Sequence, residues 1–123
     1  MSPKKKRAGG NAVAGPKAGK APHADAGFIA FVLDQLDEPG VHARAMFGGH
    51  GLYRGERFFG IVYRACLYLK VDDASRPEFE RRGMGPFRPG PGTTMRGYFE
   101  VPPDVLDDAL ELRRWTERAA RVE

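Results

Sequence analysis

The chain has 123 residues, 41% of them apolar and 29% charged, with a formal net charge of +4. That length suits one domain, and no apolar run reaches the roughly 18–20 residues a membrane helix needs, so no membrane partner is expected. The lone cysteine, Cys66, excludes an internal disulfide and fits a reducing compartment, with the cytoplasm as the expected location.

The charge is unevenly placed. Lys4, Lys5, Lys6, Arg7, Lys17 and Lys20 give residues 1–22 six positive charges and no acid, whereas residues 23–123 hold 14 basic and 16 acidic side chains. No apolar stretch follows the first basic cluster, so no secretory signal is expected. Residues 1–22 are mostly Gly, Ala, Pro and Lys and carry too little apolar surface to offset chain entropy. They are expected to form a disordered basic tail, with one folded domain over residues 23–123. The string Pro3-Lys4-Lys5-Lys6-Arg7 resembles a nuclear-localisation signal. In a bacterial cell it would be a basic arm, either a solvated charge run or a weak, non-specific contact for nucleic acid.

The first predicted element is an amphipathic helix of about ten to fourteen residues. Phe28, Phe31, Val32 and Leu36 follow helical spacing, and Pro39-Gly40 would stop the chain's helical run. Val41 to Phe47 reads as a strand, Gly48-Gly49-His50-Gly51 as a turn, and Leu52-Tyr53-Arg54 as the returning strand. After Gly55-Glu56, two further strands are expected over residues 57–64 and 65–71. Ser75 and Glu78 have capping-box spacing at the head of a short helix to Arg82, closed by Gly83. Residues 83–92, with four Gly and three Pro, read as a loop, and Thr93 to Val101 as a strand. A last helix carries Val105, Ala109, Leu112, Trp115, Ala119 and Val122 on one stripe. Strands joined by short turns pair antiparallel, so the expected fold class is α+β: a two-layer domain with helices covering one face of an antiparallel sheet.

Several segments resemble the N-terminal domain of the TfoX/Sxy competence regulators. The matching residues are Arg44-Ala-Met46-Phe47-Gly48-Gly49-His-Gly51-Leu52-Tyr53, then Phe58-Phe59-Gly60-Ile61, then Leu67-Tyr68-Leu69-Lys70-Val71-Asp72. Phe79, Gly83, Pro86-Phe87 and Met95 follow, and then Tyr98-Phe99-Glu100-Val101-Pro102 and Leu106-Asp107-Asp108 with Leu112 and Trp115. The resemblance spans about residues 25–120. It implies an α-β-β-β-α-β-β-α arrangement similar to secretion-chaperone-like folds. It also implies a link to the regulation of natural transformation, in which the full regulators act with the catabolite activator protein at promoters.

The residues themselves give little sign of catalysis. No pair among His23, His42, His50 and Cys66 has zinc-ligand spacing, so neither a metal nor a cofactor is expected. Cys66 has no local signature pairing it with a base, and beside Leu67 it reads as a small hydrophobe. A phosphate loop needs a helix behind its glycines, whereas a strand follows this one. The motif Met46, Phe47, Gly48, Gly49 and Gly51 therefore reads as a hairpin turn with positive φ at a glycine. Asp72-Asp73 and Asp107-Asp108 precede helices and are expected to cap them. Arg44, Tyr53, Tyr68, Lys70 and Phe87 are the candidate binding surface, with core packing the alternative for the two tyrosines. Strand alternation puts Arg44 on the face opposite Ala43 and Ala45. The expected function is a non-enzymatic regulatory or adaptor domain whose partner is another protein, with weak nucleic-acid contact through the tail. A protein-binding module with an idle tail, and a small enzyme, remain the alternatives.

Overall fold

A computed structural model describes residues 25–46 and 48–123. The basic tail with its six cations, His23 and Phe47 lie outside the described residues. In chain order the elements are α1 (Ala26–Leu36), β1 (Val41–Met46), β2 (Gly49–Arg54), β3 (Arg57–Tyr63), β4 (Cys66–Lys70), α2 (Arg76–Arg81), β5 (Pro86–Gly90), β6 (Thr93–Glu100), α3 (Pro103–Leu106) and α4 (Ala109–Ala120). The strands form one six-stranded sheet in the order β1-β2-β3-β4-β6-β5, antiparallel throughout. This is the α+β class and the element order expected from the sequence.

The helices pack on one face. Val32 and Leu36 of α1, Phe79 of α2, Val105 of α3, and Leu112, Trp115 and Ala119 of α4 meet Leu52, Phe59, Val62, Leu67, Leu69 and Phe99 of the sheet in a single buried cluster. Trp115 is 3% exposed and packs edge-on to Phe79, with ring centroids 4.8 Å apart. Burying each such side chain stabilises the fold by roughly 1.5–3 kcal/mol. Gln35 Nε2 donates to the Leu106 carbonyl at 2.8 Å, and Arg113 Nε donates to the Gln35 and Leu36 carbonyls at 3.1 Å. Those bonds tie the open C-terminal end of α1 to the last helices.

Seven local expectations are corrected. Phe31 is 40% exposed. At about 100° per residue it falls roughly 60° outside Phe28, beyond the arc that Val32 and Leu36 turn to the core. The helix stops before Pro39-Gly40, because Asp37 adopts φ 50° and donates its amide to the Leu33 carbonyl. Ser75 does not form a capping box. Its Oγ accepts from the Asp72 amide, while Asp72 Oδ1 accepts from the Ala74 and Ser75 amides. Of the two acidic pairs, only Asp72 and Asp108 accept from amides at a helix start. Asp73 instead pairs with Arg76, and Asp107 ends α3.

The loop assigned to residues 83–92 contains β5, an edge strand where Pro86 and Pro89 cost no interior ladder bonds. The expected last helix is two, broken at Asp107-Asp108, where Asp108 caps α4 by accepting from the Glu111 amide at 3.2 Å. Arg64 and Ala65 leave the strands and form the β3–β4 turn, with φ of 51° and 59°. Two positive φ values are what the tight hairpin turn requires, and without glycine each is disfavoured by roughly 1–2 kcal/mol. Asp25, 2% exposed at the start of α1, accepts from the Ala65 amide at 2.8 Å and holds the turn in place.

Candidate binding site on the uncovered sheet face

Among the described residues, no helix packs on the second face of the sheet. Pairing assigns its residues, since directly opposite positions share a face. Gly60 lies opposite Leu52 and Leu69, which face the helices, so Ile61, paired with Gly51 and Tyr68, looks the other way. A bulge in β3 decides the rest. Tyr53 pairs with Phe58 and Leu52 with Gly60, leaving Phe59 as the extra residue. Phe59 turns into the core at 0% exposure, while its neighbour Phe58 stays on the uncovered face.

A row of rings crosses that face. His42 of β1 stacks on Tyr53 of β2 at 5.6 Å, Tyr53 meets Phe58 of β3 at 5.3 Å, and Phe58 meets Tyr98 of β6 at 5.8 Å. The Arg44 guanidinium lies over the Tyr53 ring, 5.2 Å from its centroid. Lys70 lies in β4, between β3 and β6, and pairs with Tyr98. Arg44 and His42 are exposed, and Tyr53, Phe58, Lys70 and Tyr98 are half-buried. Neither Arg44 nor Lys70 has an ion-pair partner among the described residues.

The glycines of the motif do two jobs. Gly48 has φ 82° and makes the β1–β2 turn, which is shorter than expected because Gly49, His50 and Gly51 already belong to β2. Gly49 and Gly51 instead make room for the rings. A Cβ on Gly49 would sit 2.6 Å from the Val62 carbonyl oxygen and 3.1 Å from the Tyr63 ring. One on Gly51 would sit 2.6 Å from the Met46 sulfur and 2.8 Å from the Phe58 ring. Met46, Phe58 and Tyr63 thus lie against bare backbone of β2.

Beside the row, Tyr63, Tyr68 and Phe87 form a second group with centroids 5.3 and 4.8 Å apart. The Tyr63 hydroxyl donates to the Pro89 carbonyl at 3.1 Å. Phe87 is 1% exposed, so it packs inside this group and offers no surface; the sequence placed it among the contact residues. The other four candidates, Arg44, Tyr53, Tyr68 and Lys70, share the uncovered face. His42, Phe58 and Tyr98 complete it and were not singled out from sequence. His42 could have been found two residues before Arg44 on the same strand face, whereas the bulge hides the facing of Phe58.

Burial raises the Cys66 thiol, and the Glu100 carboxylate adds to the effect. A thiol held protonated is a poor nucleophile. Burial likewise pushes Tyr68 up to about 12, with Cys66 and Glu100 adding in the same direction. His42 and His50 stand on opposite faces, and among the described residues no three His, Cys, Asp or Glu side chains gather as a metal site. No helix among the described residues is long and apolar enough to cross a membrane.

Charge is unevenly divided between the strands and the rest of the described chain. The strands hold six basic side chains, Arg44, Arg54, Arg57, Lys70, Arg88 and Arg96, and one acid, Glu100. The remaining residues of 25–123 hold eight basic and fifteen acidic side chains.

Compared with known protein families, residues 33–122 match the TfoX N-terminal domain. The chain belongs to the TfoX N-terminal domain family. Its membership makes it a competence-related regulatory domain. The match takes in the whole ring row and all four surface candidates. The TfoX-type chain is also similar to an uncharacterized 12.7 kDa protein in the trpE 5′ region of Spirochaeta aurantia. The two are 37% identical over 87 residues, 69% of this chain and 70% of that protein.

Proposed function

We propose that this chain is a non-enzymatic, cytoplasmic regulatory adaptor that binds its partner through the uncovered face of the sheet. The observation that carries the reading is the row His42, Tyr53, Phe58 and Tyr98, flanked by Arg44 and Lys70. Partly exposed aromatic rings beside cations with no acidic partner among the described residues are a typical composition for a binding surface. A catalytic reading has less support, because the Cys66 thiol is raised and no base is seen to activate it. The test places a photo-crosslinking side chain at Arg44 and, separately, at Glu117 on the helix side, in the full chain in its native cell. Adducts from position 44 and none from position 117 are expected. Adducts from position 117 alone would overturn the assignment of the face.

A second contact rests on the tail. Six cations with no acid between them can follow a phosphate backbone without fixed geometry. If all six engage duplex DNA, binding should fall with salt at a log–log slope of about −5 at most. Replacing the six with Gln in the full chain should flatten that slope. Equal slopes would remove the tail from the function.

A further inference from the structure

We infer that the uncovered sheet face is a platform for single-stranded nucleic acid, reading base rings and phosphates but not sequence. This rests on the reading that the face is the binding surface, and it names what occupies it. The ring row supplies the stacking component. Its four rings come from β1, β2, β3 and β6, with successive centroids 5.3–5.8 Å apart, a spacing suited to a track of bases drawn out of a duplex stack. The Arg44 guanidinium, seated over Tyr53 at 5.2 Å, adds a planar cation on which a base can also stack.

The charges supply the second component and point away from a protein partner. On a chain whose residues 23–123 carry more acids than bases, the uncovered face presents Arg44 and Lys70 against Glu100, while Arg54 and Arg57 turn to the helix side and pair with Glu38 and Glu123. Arg44 and Lys70 stand in or beside the row without an acidic partner among the described residues, so a phosphate would complete them. The strand must be single. The exposed His42 ring, stacked on Tyr53, and the Arg44 guanidinium over the same ring are planes on which a base can stack, and a paired, stacked duplex hides the flat sides of its bases. Rings and phosphates are common to DNA and RNA, so the sugar is not read.

The test is fluorescence anisotropy of the full chain with labelled dT15, U15 and a 15-bp duplex. The parent chain is compared with a form in which the six tail cations are Gln, to remove the tail's own attraction. In that background the single strands should bind at least tenfold more tightly than the duplex, and dT15 and U15 should agree within about threefold. Tyr53→Ala should weaken the single strands about tenfold. Arg44→Lys keeps the charge and loses the plane, and should also weaken them. Phe58→Leu, which keeps an apolar side chain in the sheet, covers the case in which Tyr53→Ala does not fold. Single-strand binding that vanishes with the tail charges, or survives Tyr53→Ala and Phe58→Leu in folded protein, would overturn the inference. A tenfold preference for either sugar would overturn the claim that rings and phosphates are all that is read. If crosslinks form at position 44 only to protein while oligonucleotides fail to bind, the face remains the binding surface and this occupant is wrong.

Discussion

The two faces of one sheet use aromatic rings in opposite ways. On the helix side Phe79, Phe99 and Trp115 are sealed at 2–3% exposure among aliphatic side chains, and they define the core. On the other side His42, Tyr53, Phe58 and Tyr98 stay wet, touch one another in a line, and keep company with Arg44 and Lys70. Rings meant only for stability would gain more from being covered. A line of half-covered rings is tolerated where the sheet has enough stability from its other face. The largest test of that division is Trp115→Ala, which should cost roughly 3–5 kcal/mol in urea unfolding. A loss under about 1 kcal/mol would mean that the helix layer does not carry the fold.

The glycine motif lets the same contrast be drawn inside three residues. Gly48→Ala meets a backbone penalty, since φ is 82° and the nearest atom to a new Cβ is a Tyr63 ring carbon at 3.8 Å. About 1 kcal/mol or slightly more is expected. Gly49→Ala meets fixed backbone, the Val62 carbonyl oxygen at 2.6 Å, and should cost about 2–3 kcal/mol. Chemical denaturation of the two variants decides the order. If Gly48→Ala is the worse, the motif is chiefly a turn, and the lying-down of Tyr63 over β2 is incidental.

Much of this architecture is legible in the sequence. Aromatic and branched residues over 57–64 and 65–71 point to β3 and β4, and the Leu112–Trp115–Ala119 stripe points to α4. What escaped depended on partners distant in the chain. The Arg64-Ala65 turn is held by Asp25, forty residues earlier, which accepts from the Ala65 amide. β5 hides in a Gly/Pro-rich run because edge strands tolerate proline. The ring row is assembled from four strands, and one of its members, Phe58, depends on a one-residue bulge that no local pattern reveals. Arg44, Tyr53 and Lys70 could be picked singly, but their meeting on one face with Phe58 and Tyr98 is a property of the pairing.

Alkaline pH should separate the group beside the row from the core, which has nothing to titrate there. Tyr68 is pushed from its ordinary 10.0 up to about 12, and Cys66 is raised from 9.0, in both cases first by burial. Each prefers to stay protonated in the folded state. Their contribution to stability is therefore complete below pH 9 and is lost as pH rises through about 10 to 12. Tyr68→Phe keeps the ring and removes the proton, so its urea midpoint should decline less steeply from pH 9 to 11 than the parent's. Parallel declines would show that Tyr68 is as free as an unfolded tyrosine.

The smallest expected effect is also the most discriminating, because each face carries an arginine over an aromatic ring. Arg118 sits 5.3 Å from the centre of the Trp115 ring, and its guanidinium also binds Glu78 at 2.7 Å. Arg44 sits 5.2 Å from the centre of the Tyr53 ring, exposed and without an acid among the described residues. Removing Arg118 loses the ring contact and the carboxylate partner together, so Arg118→Ala should cost about 1–2 kcal/mol. Removing Arg44 loses one solvated cation–π contact and leaves no buried group without a partner, so Arg44→Ala should stay within about 0.5–1 kcal/mol. The two variants, melted side by side, measure whether a cation on the uncovered face is there for the fold or for something that lands on it. Equal losses would make Arg44 a structural residue and leave the ring row without its exposed cation. A loss confined to Arg118 leaves Arg44 energetically idle in the isolated chain, as a side chain held for a ligand should be.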